Sequence, residues 1–286
     1  MINETNKSNK NSEKPIGIMD SGVGGLTVAK EIKQLLPFES TIYVGDTARV
    51  PYGTKNADTL FKYAKEIICF LVDKNVKAVV LACGTISSTI FERLQDEFPD
   101  LILVDVIRPG VSTCVELIRQ KPDLRLGLIA TTATIKSGMF TKLLENQLTK
   151  QLGRQLITRA CPLFASMIEA GLKNNHSLLT FIAKTYLSDL NNKIDALVLG
   201  CTHYPLMVDT LSYVLGNINY ISLATSTAHA TKEAIISCTN SGSTPPSHSY
   251  YVSGNPSKFA KMAQLILNEE IETLTSKVCL KNYLQN

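Results

Sequence analysis

The sequence predicts an α/β protein of two similar lobes. Each lobe is a mainly parallel sheet flanked by helices, with the functional site between them. Three observations predict this class. Short, continuous apolar runs alternate with amphipathic stretches, as expected of buried parallel strands covered by helices. Polar residues able to do chemistry collect where those runs end. Two runs also recur in the same order at nearly the same separation. Ile16-Gly17-Ile18 aligns with Leu126-Gly127-Leu128, and Ala78-Val79-Val80-Leu81-Ala82-Cys83 aligns with Ala196-Leu197-Val198-Leu199-Gly200-Cys201. Chance similarity of apolar strands is the competing reading of that repeat.

The elements follow in order. Residues 1–14 are polar and read as a disordered tail. Pro15 to Met19 is the first strand, and Asp20-Ser21-Gly22-Val23-Gly24-Gly25 is its turn. Leu26, Ala29, Ile32 and Leu36 then mark one face of a helix. Thr41 to Val44 is a second strand. Leu60, Ala64, Ile67, Ile68 and Leu71 give residues 57–73 a helical period. Apolar runs at 78–82, 101–104, 126–130 and 196–200 read as further strands. A Gly/Pro/Ser-rich turn at 239–247 precedes a strand at 249–252 and a last helix at about 256–268.

Composition narrows the function. The chain has 286 residues, with 44% hydrophobic and 19% charged residues, which is globular. A net charge of +4, interspersed basic residues, 7% aromatics and no Trp argue against nucleic-acid binding. No apolar run approaches the roughly 18 residues of a membrane span. The start of the chain lacks the apolar core of a signal peptide, so a soluble, cytoplasmic protein is expected. The seven cysteines are scattered and include no Cys-x-x-Cys pair, so neither a disulfide framework nor a metal site is expected.

The candidate chemistry lies at the strand ends: Asp20-Ser21, Cys83-Gly84-Thr85 and Cys201-Thr202-His203. Each cysteine ends an apolar run and is read as opening a helix. The dipole of that helix would lower the thiol pKa and attract a carboxylate. His203, two residues from Cys201, is placed to relay a proton. The glycines at 22, 24 and 25 fail the G-x-G-x-x-G dinucleotide pattern, because Thr27 stands at the third glycine position. No phosphate-binding P-loop is present, and a cofactor-free site is favoured. Two thiols facing each other across a small acid suit a two-base stereoinversion, one removing a proton from carbon and the other returning one to the opposite face.

Five segments then carry a resemblance to the glutamate racemases. They are Ile16 to Val28, Tyr43 to Arg49 with Pro51-Tyr52-Gly53, Leu81 to Thr85, Ala160 to Phe164 with Glu169-Ala170-Gly171, and Leu197 to Leu206. The resemblance runs from about residue 15 to 268. It implies cofactor-independent interconversion of L- and D-glutamate, supplying D-glutamate for peptidoglycan. It implies that Cys83 and Cys201 are the acid/base pair, the first acting on the D-enantiomer and the second on the L-enantiomer. Asp20 would assist Cys83, and Glu169 with His203 would assist Cys201. Asp20, Ser21, Tyr52, Gly53, Gly84, Thr85, Thr202 and His203 would line the substrate pocket. The family fold implies a first lobe of 15–108 plus 224–286 and a second lobe of 109–223, with a homodimer as the expected assembly.

The sequence departs from the family at three places. Gly84 stands where the family usually has Asn, which removes a side-chain amide. A hydrogen bond to a charged group is worth about 1.5–3 kcal/mol, or about ten- to a hundred-fold in affinity. Arg108 and the segment Ile221-Ser222-Leu223-Ala224 differ as well. Gly84 keeps open a racemase for aspartate or another acidic amino acid. An amino-acid-binding protein without turnover is the reading from another class.

Overall fold

The computed structural model describes residues 12–148, 156–172, 174, 176–240, 242 and 245–284. Most of the expected tail, residues 1–11, lies outside the described residues. By Ser12 the chain is already held, because the Ser12 carbonyl accepts a hydrogen bond from Lys77 Nζ at 2.8 Å.

The first half runs β1 (Ile16–Asp20), α1 (Leu26–Leu35), β2 (Thr41–Gly45), α2 (Ala57–Asp73), β3 (Ala78–Leu81), α3 (Gly84–Thr89), α4 (Phe91–Glu97), β4 (Ile102–Asp105) and α5 (Ile107–Gln120). The second half runs β5 (Leu126–Ala130), α6 (Thr132–Ser137), α7 (Met139–Gln147), β6 (Leu156–Ala160), α8 (Pro162–Glu169), α9 (Ser177–Leu187), β7 (Ala196–Leu199), α10 (Val208–Leu215), β8 (Asn219–Ser222) and α11 (Leu223–Ala234). The chain then adds β9 (His248–Val252), α12 (Pro256–Leu267) and β10 (Thr275–Lys277).

Two parallel sheets result, in the orders β10-β9-β2-β1-β3-β4 and β6-β5-β7-β8. The segment 2-1-3-4 of the first repeats as 6-5-7-8 in the second. The register repeats too: Ile16 pairs with Ala78, and Leu126 with Ala196. The sequence repeat is therefore a structural one, and β9, α12 and β10 extend the first sheet only.

Burial follows from strand position. Every residue of β1, β3, β5 and β7 is buried, since each strand has a neighbour on both sides and helices on both faces. Successive side chains point to opposite faces: Ala78 and Val80 enter one core, Val79 and Leu81 another. The first of these cores also contains Leu128, Phe140 and Ile221 from the second half. The two lobes are thus joined through shared apolar packing around α5 and α11.

Local signals set the helices. Asn56 caps α2 by accepting the Thr59 N–H at 2.8 Å, and Asn255 caps α12 through the Lys258 N–H at 2.9 Å. The last helix ends at Asn268 in the left-handed region (φ 58°). Ser222, from one of the divergent segments, caps α11. Arg108, the other divergence, bridges Asp105 and Glu92. Among the described residues, no helix is long and apolar enough to cross a membrane.

Candidate active site

The carboxyl ends of the two sheets face each other, and the expected chemistry meets there. Cys83 follows β3 and Cys201 follows β7, the strands that the repeat aligns. Both thiols line one cavity together with Ser21, Tyr52, Gly53, Gly84, Thr85, Thr202 and His203. The cavity offers about 20 Å³ to the centre of a water molecule, room for about one.

Asp20 and Glu169 stand behind this wall. Asp20 is fully buried and accepts the Gly22 N–H at 2.9 Å, and Thr202 Oγ1 donates to its other oxygen at 3.3 Å. Burial raises its carboxyl pKa, opposed by His203 and by the N–H groups of Gly22 and Gly25. Glu169 Oε1 lies 2.7 Å from His203 Nε2 and accepts the Val23 N–H at 2.7 Å. Burial alone would raise Glu169. Its bond to His203, the histidine's charge, the Val23 N–H and Lys258 together lower it. On the other side of the ring, His203 Nδ1 is 3.7 Å from Cys201 Sγ. Burial opposes the charged form of His203, but its bonds to Cys201 and Glu169 prevail and raise its pKa well above the ordinary value. An imidazolium held between the Glu169 carboxylate and the Cys201 sulfur is the arrangement this favours.

Two expectations need correction. Cys83 does precede a helix, α3, but its thiol is pushed up to about 12 rather than lowered. Burial and the neighbouring Asp20 charge outweigh the N–H of Ile86 at the helix start. Cys201 does not open an α-helix. A turn follows it, then a short 3₁₀ segment at Tyr204–Met207, and α10 begins only at Val208. At Cys201 the helix end is absent, and the expected imidazole of His203 is the thiol's immediate partner.

Hydrogen bonds hold the two lobes together around the cavity. Thr27 Oγ1 donates to the Thr202 carbonyl at 3.2 Å, the Ala133 N–H reaches the Gly53 carbonyl at 3.2 Å, and Thr85 Oγ1 meets Thr131 Oγ1 at 2.9 Å. Gly22 permits the closest approach on the turn side, where a β-carbon would collide with Glu169 Oε1, and a β-carbon on Gly24 would lie 2.5 Å from His203 Nδ1.

The sequence profile of the Asp/Glu/hydantoin racemase family matches residues 16–234. The chain belongs to this family. The racemase is 39% identical over 264 residues to the glutamate racemase of Aquifex aeolicus, covering 92% of this chain and 98% of that one. Its structure resembles the glutamate racemase of Francisella tularensis in complex with D-glutamate, with a TM-score of 0.85, 34% identity, and coverage of 95% of this chain and 100% of that one. A glutamate racemase isoform of Bacillus anthracis gives a TM-score of 0.84 at 32% identity, covering 94% and 98%. The enzyme is an isomerase, an amino-acid racemase.

Several residues of the racemase site went unnominated at the sequence level. Thr131 lines the cavity, caps α6 and bonds Thr85 across the lobes. It sits at the end of β5, so the strand-end rule that selects Asp20 selects it too. Tyr52 is held from behind by buried Asp46, which also accepts Arg49 Nε at 2.6 Å and Ser253 Oγ at 2.6 Å. That network joins β2, the loop after it and β9, and no local spacing signals it. Among the described residues, no group of three or more His, Cys, Asp or Glu side chains is gathered as metal ligands.

Proposed function

We propose that this racemase interconverts L- and D-glutamate by a two-thiol, two-base mechanism and supplies D-glutamate for peptidoglycan. The observation that carries the reading is the pair Cys83 and Cys201, on equivalent strand ends of opposite lobes and lining one cavity. In the L-to-D direction, the Cys201 thiolate takes the α-proton. The Cα–H bond breaks, an S–H bond forms, and the electron pair moves onto the substrate carboxylate. Cys83, kept as a thiol by burial and Asp20, gives its proton to the opposite face of the carbon. The imidazolium of His203, backed by Glu169, stabilises the Cys201 thiolate before the step.

On this reading Asp20, Glu169 and His203 assist the thiols, and the cavity residues hold the substrate. The lobes divide as 15–108 plus 224–286 and 109–223, a division supported by the strand membership of the two sheets. All seven cysteines are free, which suits the cytoplasm. A homodimer is part of the proposal, supported by the exposed Leu178, Phe181 and Tyr213 on α9 and α10.

The test is proton NMR of L-glutamate with the purified enzyme in deuterium oxide, without added cofactor. Loss of the α-proton signal with appearance of D-glutamate is expected. Cys83→Ala and Cys201→Ala should each abolish racemisation while keeping the native circular dichroism; full activity in either would overturn the two-thiol mechanism. Gly84 favours a second reading, a racemase for aspartate or another acidic amino acid. Exchange with aspartate and none with glutamate would select it.

A further inference from the structure

A larger cavity, about 890 Å³ by the measure used for the thiol cavity, lies against the support of Tyr52. Its walls come from the loop after β2, from α2 and from residues 277–281. Its floor is apolar. Val278 and Leu280 are buried in the core they share with Tyr52, and Tyr63 of α2 packs on that core. Lys62, Lys277 and Lys281 are exposed in its walls, and no described carboxylate pairs with them. Glu66 lines it too, but its carboxylate is engaged by Arg49. An apolar floor with a few charged groups around it is the build of a small-molecule site.

Arg49, also in its wall, ties this cavity to the active site. The guanidinium stacks on the Tyr63 ring, 3.9 Å from the centroid, and Nε donates to Asp46 at 2.6 Å. The same Asp46 oxygen accepts the Tyr52 hydroxyl. The Tyr63 and Tyr52 rings also meet directly, with centroids 5.7 Å apart. Tyr52 lines the thiol cavity, and the two cavities share no wall residue. A ligand in one therefore leaves the other open.

We propose that the larger cavity is an effector site for a small aromatic anion, with its ring on Tyr63, Val278 and Leu280 and its charge on Lys62 and Lys277. The effect on turnover rests on the racemase reading; the site itself does not. A bare inorganic anion would leave the apolar floor uncovered, and a neutral ring would gain nothing from the unpaired lysines. Only a molecule with both parts uses the whole wall. Its negative charge competes with Asp46 for the Arg49 guanidinium, and the Tyr52 hydroxyl loses part of its anchor. Occupancy thus weakens substrate binding and leaves proton transfer at the thiols alone.

The experiment titrates the enzyme with anilinonaphthalene sulfonate, an aromatic anion whose fluorescence rises on binding. A saturable site is expected, weakened by salt. N-phenylnaphthylamine, the same rings without the sulfonate, should bind about tenfold more weakly or worse. The sulfonate should lose affinity to a similar degree in the double variant Lys62→Glu with Lys277→Glu. Cys279 is an exposed thiol in the same wall, so bound sulfonate should slow its alkylation by iodoacetamide several-fold. With the site filled, the KM for L-glutamate should rise several-fold at unchanged kcat and then level off. Saturating glutamate should in turn weaken the sulfonate, without displacing it fully. Unaltered affinity in the double variant, unaltered alkylation of Cys279, or an unmoved KM would each overturn the proposal. So would a KM that climbs without limit, since the sulfonate would then be competing in the active site. Absence of turnover with glutamate would remove the racemase reading, while fluorescence and alkylation still decide the site.

Discussion

Gly84 lies so close to the carbonyl oxygen of Gly200 that a β-carbon on residue 84 would sit 2.6 Å from it. Both residues adjoin a candidate catalytic cysteine, and they belong to opposite lobes. The missing side chain at 84 therefore does more than remove an amide from the pocket. It lets the two cysteine segments meet through backbone.

Gly84→Ala should hold the lobes apart at this contact, because the opposing atom is backbone and has little freedom to move. A displacement of about 1 Å at a reacting centre costs about a hundred-fold. We expect kcat/KM to fall by about ten- to a hundred-fold with little change in Tm. Gly84→Asn should fall too, despite restoring the residue common in the family. Steady-state kinetics with L-glutamate check both, and an undiminished rate in either would mean that the contact does not govern closure.

Asp20 should destabilise the fold at neutral pH. Burial raises its folded pKa above the ordinary 3.8. Between the two values the folded state holds a proton that the unfolded state has lost, so stability falls as pH rises through that window. Asp20→Asn removes the burden. We expect its Tm to exceed that of the native enzyme by a few degrees at pH 7.5, with the difference vanishing near pH 3 and activity lowered throughout. Calorimetry across that range decides the matter, and a Tm below native at pH 7.5 would contradict it.

Thr131→Val removes the hydroxyl that bonds Thr85 at 2.9 Å across the lobes. A hydrogen bond of this kind is worth about 0.5–1.5 kcal/mol, so kcat/KM should fall by about two- to tenfold. Thr131→Ser keeps the hydroxyl and should retain most of the activity. Equal rates in the two variants would assign Thr131 to packing alone.

Lys77→Met tests the opposite end of the first sheet. Lys77 Nζ lies 2.6 Å from Glu39 Oε2, both side chains are buried, and the ammonium also donates to the carbonyls of Ser12 and Cys238. Breaking a buried pair from one side costs about 3–5 kcal/mol, because the partner charge stays enclosed. Urea denaturation should show a loss of that size, with the rate per folded molecule at low temperature unchanged. A loss below about 1 kcal/mol would place the pair in effective contact with water.

The alternating apolar runs were enough to read two parallel sheets. A strand buried on both faces must be apolar along its whole length, and four such strands stand out: β1, β3, β5 and β7. The edge strands β6 and β8 were not read. They are no shorter than the central strands but are partly exposed, so their residues carry no such signature. The strand-end rule found Asp20, Cys83 and Cys201 without any knowledge of the fold. Applied once more, at the end of β5, it would have found Thr131.

The amino-acid sequence by itself determined the class of the fold, the repeat of its halves and the two thiols, because each is written in local pattern. Only the tertiary structure decided how those groups behave. It made Cys83 a high-pKa thiol where a helix end suggested a low one, since desolvation and Asp20 act through space. It replaced the helix expected after Cys201 by a turn, and set the expected relay residue His203 with Nδ1 3.7 Å from that sulfur. It joined Glu169 to His203 at 2.7 Å from a distant helix. Burial, charge and closeness between distant segments exist only once the chain has folded, and they separate one thiol from the other.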